Sequence, residues 1–343
     1  MKKFATLAVL AAISGGAYAQ SVTLFGIIDE AARYVKNGDL KQKSLVSGGI
    51  NTSRLGVRGT EDLGGGLTAG FWLETGLNAD SGTQSDPTRF WNRRSTVSLI
   101  GSFGELRLGR DFTPTYTGYS DYDAFGDNGV AASGKFDSSL GTARDTGTRA
   151  DNQIMYLTPA NLGGFYGRAA VAAGEGTAGK KYIGARAGYA AGPLDVSAAY
   201  GQTTVAPLPL GGEDKFKTAD IGASYDFGVV KATGYYTQSK FAAQKIASYS
   251  IGAIVPVGLG QIKAAYTHAN ASGTDALGVN VDANDANQFA LGYIYNLSKR
   301  TAVYGTGAYI KNKGNATFAV ASAPTLVPGG KSTGLELGLR HSF

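Results

Sequence analysis

The end of the chain alternates so regularly that it restricts what the whole can fold into. In Ser332-Thr333-Gly334-Leu335-Glu336-Leu337-Gly338-Leu339-Arg340-His341-Ser342-Phe343, one parity carries Thr333, Leu335, Leu337, Leu339 and Phe343. The other carries serine, glycine, Glu336 and Arg340. Successive side chains of a strand point to opposite faces, so one face is apolar and the other holds charge and glycine. The pattern recurs upstream. Phe289, Leu291, Tyr293 and Tyr295 oppose Gln288, Gly292 and Asn296, and Ala219, Ile221, Ala223 and Tyr225 oppose Asp220, Gly222, Ser224 and Asp226. A soluble sheet turns its apolar face to a core. A chain of such strands behind an export signal is instead expected to face lipid with its apolar parity and a water-filled lumen with the other.

That export signal occupies the first residues. Met1-Lys2-Lys3 is a basic start, Phe4 to Ile13 an apolar run, and Ala17-Tyr18-Ala19 a small-x-small cleavage site. A signal peptide over 1–19 is expected, with a single barrel domain over 20–343. The apolar run is shorter than the roughly 20 residues that a spanning helix needs. Losing Lys2 and Lys3 takes the formal charge from +6 to +4, since residues 1–19 contain no acid. So small an excess gives no reason to expect a nucleic-acid partner. The absence of cysteine rules out a disulfide framework.

Short turns alternate with longer polar loops. The turns bear glycine, proline or asparagine, as in Glu61-Asp62-Leu63-Gly64-Gly65-Gly66, Gly101-Ser102-Phe103-Gly104, Gly192-Pro193 and Asn296-Leu297-Ser298-Lys299-Arg300. The loops lie near 38–45, 78–90, 112–148, 174–180, 203–216, 240–245, 271–286 and 313–331. Seven turns and eight loops separate sixteen antiparallel strands, which puts the turns on the periplasmic side and the loops outside. A barrel of that size has room for an aqueous channel. Tyrosines near strand ends, among them Tyr34, Tyr156, Tyr200, Tyr225 and Tyr295, suit interfacial girdles. One strand, Thr301 to Ile310, reads less cleanly. Its outward parity is expected to carry Tyr304 and Ile310, which leaves Val303 facing in. A soluble sandwich or lectin-like domain also alternates, but it accounts less well for the length, the strand number and the one-sided charges.

Several segments resemble the general diffusion porins of Gram-negative outer membranes, in particular the anion-selective β-proteobacterial branch. They are Ser21-Val22-Thr23-Leu24-Phe25-Gly26, Thr52-Ser53-Arg54-Leu55-Gly56-Val57-Arg58-Gly59-Thr60-Glu61-Asp62-Leu63-Gly64-Gly65-Gly66-Leu67, Gly70-Phe71-Trp72-Leu73-Glu74, Arg93-Arg94-Ser95-Thr96-Val97-Ser98-Leu99, Gly104-Glu105-Leu106-Arg107-Leu108-Gly109-Arg110-Asp111 and Asn296-Leu297-Ser298-Lys299-Arg300-Thr301. The resemblance implies a homotrimeric sixteen-stranded barrel whose third long loop folds inward and narrows the pore. It also implies passive diffusion of small hydrophilic solutes through that pore. A substrate-specific channel for a small anionic solute or sugar, and a structural barrel without conductance, are the alternatives.

Charged side chains at a constriction set pore selectivity, so parity decides which residues matter. Leu55 and Val57 facing lipid turn Arg54 and Arg58 inward. Val97 and Leu99 turn Arg94 inward and give Arg93 the opposite parity. Leu106 and Leu108 turn Arg107 inward, with Glu105 beside it. Ile154 and Tyr156 do the same for Arg149, Asp151 and Gln153. The resemblance maps the basic side of the constriction onto Arg54, the Arg93-Arg94 pair and Arg149, without deciding between the paired arginines. Arg110 shares the parity of Leu108, where charge facing lipid is costly; it is expected at a strand top or a subunit contact rather than in the pore.

The segment 112–148 is too long for an ordinary connection. Its acids Asp121, Asp123 and Asp127 cluster near its middle. Folded inward, they are expected to face the arginines and set up a transverse field. Enzyme chemistry finds little footing, because both histidines, His268 and His341, share outward parities and with no cysteine a metal site has few ligands. No cofactor is expected. Phe343, outward at the periplasmic rim, is expected to mark the chain for the outer-membrane assembly machinery as well as to anchor the rim. The outer face is expected to meet lipid and lipopolysaccharide.

Overall fold

The computed structural model describes residues 21–207, 214–275 and 277–343; the expected signal peptide, 1–19, lies outside them. Eighteen strands form one antiparallel sheet system. In chain order they are β1 (Ser21–Asn37), β2 (Leu40–Ser47), β3 (Arg54–Gly64), β4 (Leu67–Asn78), β5 (Thr83–Gln84) and β6 (Arg94–Gly101). Next come β7 (Gly104–Phe112), β8 (Arg149–Leu157), β9 (Phe165–Ala172), β10 (Lys181–Ala191), β11 (Leu194–Thr204) and β12 (Lys215–Asp226). The last six are β13 (Lys231–Phe241), β14 (Gln244–Val257), β15 (Gly260–Ser272), β16 (Asp285–Asn296), β17 (Thr301–Asn312) and β18 (Lys331–Ser342). From β6 onward each strand pairs with the next in sequence, as β1 does with β2 and β3 with β4, and β18 returns to pair with β1 from Ile27↔Ser342 to Asn37↔Ser332. The sheet is therefore a closed barrel without free edges.

Sixteen positions fill the circumference. β5 pairs only with the outer end of β4. β2 and β3 share one position beside β1, interrupted at 48–53. Asp29 explains that interruption. Its carboxylate accepts the backbone N–H groups of Ile50 and Asn51 at 3.0 and 2.6 Å, and its own N–H donates to Ser53 Oγ at 2.9 Å. Amides that would continue the ladder are thus satisfied by a side chain.

Inside and outside follow the alternation. On β18, Leu335, Leu337 and Leu339 are 53%, 72% and 51% exposed, while Glu336 is buried in the interior. Three expectations are corrected. The connections near 38–45 and 240–245 are tight turns, because β1–β2 and β13–β14 pair right to their ends, at Asn37↔Leu40 and Phe241↔Gln244. The sides of β17 are also the reverse of those expected: Val303 faces out, whereas Tyr304 and Ile310 are buried in the interior. Each has an interior partner that parity could not reveal. Tyr304 donates its hydroxyl to Asp29, and Ile310 packs with Val35, Val130 and Phe136.

The segment between β7 and β8 folds into the lumen. It opens with a short helix, α1 (Pro114–Ser120), capped by the Thr113 hydroxyl on the Tyr116 N–H, with proline in the first turn. α1 lies against β9 to β13, and the following turns lie against β16 to β18. Glycines of the inner wall make room for it. A Cβ built on Gly222, Gly252 or Gly334 would meet Tyr122, Ala124 or Val130 at 2.0, 2.7 or 2.6 Å, and one on Gly292 would come within 3.1 Å of Phe125. Those four glycines stand on β12, β14, β16 and β18, so alternate strands supply a seat for successive residues of the loop.

Candidate functional site

Polar contacts lock the loop to the wall. The Tyr122 hydroxyl lies 2.9 Å from both Asp195 Oδ1 and Ser197 Oγ and 3.1 Å from the Tyr166 hydroxyl. Arg186, buried on β10, pairs with Asp121. Glu336 accepts the Val130 N–H at 3.2 Å and pairs with Arg33. Lys135 donates to the Val130 carbonyl at 2.8 Å and to Gln288 Oε1 at 3.0 Å.

The remaining wall, β3 to β8, carries the arginines. Glu74 on β4 organises one group. It accepts Arg93 Nε at 2.5 Å, Arg54 Nη1 at 3.4 Å and Trp72 Nε1 at 3.0 Å. Arg149 joins through the Arg93 carbonyl, to which its Nε donates at 2.7 Å, and its guanidinium lies 4.0 Å from the Phe112 ring centroid. A second group runs along the same wall. Arg94 and Arg58 stack on Trp72 at 4.6 and 5.0 Å. Arg94 also pairs with Asp111 at 3.5 Å. Arg107 binds Asp111 at 2.6 Å and grips both oxygens of Glu105 at 2.8 and 2.9 Å. Together these are six guanidinium groups against three carboxylates, Glu74, Glu105 and Asp111. Stacking and bidentate pairing hold the guanidinium planes in place, and the three carboxylates offset only half of their charge.

Two placements differ from what alternation predicts. Arg93 precedes β6, so strand parity does not bind it, and both members of the Arg93-Arg94 pair belong to the arginine wall. Asp151 does not continue the row of Gln153. The β7–β8 register shifts between Gly109 and Asp111, where Gly109 holds φ +122° and a Cβ would fall 2.1 Å from the Ser95 carbonyl oxygen. Only glycine fits there. The shift buries Ala150 and sends Asp151 to Arg110 at 2.7 Å and Arg89 at 3.3 Å. Arg110 itself is therefore neutralised within the subunit.

Asp123 and Asp127 depart furthest from expectation, because they serve the loop's own fold instead of facing the arginines. Asp123 accepts the N–H groups of Phe125 and Asp127 and the Ser133 hydroxyl, at 2.8, 3.2 and 2.5 Å. Asp127 accepts the Gly134 N–H at 2.7 Å. Burial pushes the Asp127 carboxyl up to about 6. Of the three loop acids only Asp121 meets an arginine, and that is Arg186 on the wall behind the loop. Glu74, Asp111, Arg168 and Arg186 went unnoticed in the sequence. Parity marks the first two as inward, with Trp72 and Arg107 respectively, but nothing local marks them as partners. Arg168 and Arg186 face each other across β9 and β10.

Phe343 closes the barrel. Its N–H donates to the Gly26 carbonyl at 3.0 Å, the Gly26 N–H returns the bond at 3.1 Å, and its ring covers the position where Gly26 has no Cβ. Among the described residues no cluster of histidine, aspartate and glutamate has metal-binding geometry.

Comparison with known proteins agrees with this geometry. The Gram-negative porin family profile matches residues 6–315. Outer membrane porin protein 32 of Delftia acidovorans is 43% identical, over 100% of this chain and 99% of its own length. An outer membrane porin protein of Bordetella pertussis is 31% identical over the whole of both chains. The solved anion-selective porin from Comamonas acidovorans superposes with a TM-score of 0.84 at 39% identity, covering 95% of this chain and 100% of that one. OmpT of Vibrio cholerae, at 18% identity and a TM-score of 0.68, shares the fold. The chain belongs to the Gram-negative porin family and is a β-barrel of the outer membrane.

Proposed function

We propose that the protein forms a water-filled channel for passive diffusion of small hydrophilic solutes and ions, with a preference for anions. The observation that carries this reading is the excess of arginine on β3 to β8. Arg54, Arg58, Arg93, Arg94, Arg107 and Arg149 stand against Glu74, Glu105 and Asp111, a local balance of +3. Charges lining a narrow passage bordered by low-dielectric protein concentrate counter-ions. The loop acids leave that balance standing, because Asp123 and Asp127 are committed to the loop and Asp121 to Arg186. In this reading Arg54, Arg93, Arg94 and Arg149 form the basic side of the constriction, and Arg58, Arg107 and Glu105 line the approach. Asp121, Asp123 and Asp127 hold the loop in place.

The assembled form in this reading is a homotrimer, exported by way of the leader at 1–19 and recognised through its C-terminal strand and Phe343. The exposed apolar residues of β1 and β18, such as Val22, Leu24, Leu335 and Leu337, suit packing against a second barrel as well as lipid. The zero-current potential across a planar bilayer under a salt gradient tests the channel reading. An anion-directed potential is expected; a cation-directed one overturns the arginine assignment.

A further inference from the structure

One guanidinium of the arginine wall is left unmatched by the wall's own carboxylates. Arg54, Arg93, Arg94 and Arg107 each pair with an acid, and Arg149 donates to the Arg93 carbonyl. Arg58 has no hydrogen bond or ion pair among the described residues, and it is exposed to the lumen. It is held in place all the same. Its guanidinium lies 5.3 Å from the Phe25 ring centroid and 5.0 Å from that of Trp72, and the two rings meet edge to face at 5.0 Å. The Trp72 indole is fixed in turn by donating Nε1 to Glu74 at 3.0 Å. Stacking on aromatic rings leaves the N–H groups in the guanidinium plane free to donate.

A recess of about 460 Å³ opens beside Arg58 on the inner wall. The ladder places its parts: Arg58 stands opposite Trp72, Thr60 opposite Gly70, Gly70 opposite Ser98, and Ile100 opposite Glu105. Gly70 is the floor. The loop fills the space over the glycines of β12, β14 and β18. A Cβ on Gly70, by contrast, would find no atom beyond its chain neighbours nearer than 3.8 Å, the distance at which Ile100 Cδ1 and Thr60 Cγ2 stand. Ile100 is the apolar side, turned inward by the parity that sends Val97 and Leu99 out. The acid at the recess is already engaged, because Glu105 accepts Ser98 Oγ at 2.6 Å and gives both oxygens to Arg107. The recess thus offers one unmatched positive charge, an open floor and an apolar side. Arg58 lies four residues along β3 from Arg54, roughly 13 Å nearer the periplasmic turns, so the recess is separate from the constriction.

We propose that this recess is a binding subsite for monocarboxylates that carry a planar ring, with the carboxylate on Arg58 and the ring over Gly70 against Ile100. The subsite rests on the channel reading and adds a preference within the anions that the channel admits. Chemistry selects the occupant. A guanidinium plane matches a carboxylate through two parallel N–H···O bonds. One unmatched charge suits a monoanion, since the second charge of a dianion would stand beside Glu105. Chloride or acetate leaves the apolar side of the recess to water, whereas a ring displaces that water and buries its own apolar face.

Single-channel recording in a chloride bath tests this, with benzoate, acetate and benzamide as probes. Benzoate is expected to interrupt the current in proportion to its concentration. Acetate, which lacks the ring, and benzamide, which lacks the charge, should act far more weakly. Losing hydrogen bonds to a charged group costs about tenfold in affinity or more, so Arg58→Gln is expected to weaken the benzoate block by at least that factor. Gly70→Leu fills the floor and alters no charge; it should weaken the benzoate block while leaving the small effect of acetate as it was. The zero-current potential of the unaltered protein keeps the two readings apart. A cation-directed potential overturns the channel's anion preference. An anion-directed potential together with equal effects of benzoate and acetate overturns the subsite alone. Benzoate block that is unchanged in Arg58→Gln, or in a conducting Gly70→Leu channel, also overturns it and puts the benzoate effect at the constriction.

Discussion

Tyr122 and Gly222 occupy one another's space: a Cβ on Gly222 would lie 2.0 Å from the Tyr122 ring. The loop and the opposite wall are thus a fitted pair, and the hydroxyl of Tyr122 reaches Asp195, Ser197 and Tyr166 only because Gly222 lets the ring lie flat against β12. Gly222→Val is expected to push Tyr122 off the wall and the loop toward the arginines. Overpacking of this kind costs about 1–3 kcal/mol, too little to open a closed barrel. Single-channel conductance should fall, and limited proteolysis should cut the loop faster, while the barrel keeps its heat-modifiable mobility on gels.

Arginine removal tests the selectivity. Replacing Arg54, Arg93 and Arg149 with serine leaves three arginines against Glu74, Glu105 and Asp111, a balance of zero. The anion-to-cation permeability ratio should fall toward unity in a salt-gradient measurement. Glu74→Gln moves the other way. It removes the carboxylate that Arg93 and Arg54 share, so the ratio should rise above that of the unaltered protein.

The loop should respond to pH in two directions. Burial and the neighbouring Asp123 raise Asp127 to about 6, against the Gly134 N–H, Tyr116 and Lys135, which lower it. Burial lowers Lys135 to about 7, against Asp127, Asp123 and Glu336. The packed loop therefore holds a proton on Asp127 that an exposed carboxyl has lost. Its packing should strengthen as pH falls through the window from about 6 to 4. The packed loop also favours neutral Lys135, so packing should strengthen as pH rises from about 7 toward 10. The weakest packing is expected near pH 6–7. Hydrogen exchange of the 126–136 amides, corrected for intrinsic rates, reads it. Asp127→Asn should flatten the acidic arm and Lys135→Met the alkaline one; a monotonic profile in the unaltered protein would contradict the assignment.

Deleting Phe343 removes the pair of hydrogen bonds to Gly26 and the ring that covers it. Less folded, heat-modifiable protein should accumulate in cells. Protein refolded in detergent should still conduct, because β1 and β18 keep their ladder from Ile27↔Ser342 onward. Normal accumulation would leave Phe343 as a rim anchor only.

Alternation, turn glycines and strand count determined the closed sixteen-position barrel and the inward face of Arg54, Arg58, Arg94 and Arg107, because side-chain direction in a strand is a local property with a period of two. The same rule failed wherever local geometry stopped being regular. At Gly109 one irregular pair reversed the side of Asp151. On β17 the interior partners of Tyr304 and Ile310 come from Asp29 and from the folded-in loop, which lie hundreds of residues away in the chain. The loop acids show the limit most clearly: their spacing in the sequence was visible, but their targets were not. Whether Asp123 and Asp127 face a pore or their own loop's amides is settled by how the loop lies on the glycines of β12, β14, β16 and β18. That fit is a long-range packing relation, and no window of the sequence contains both of its halves.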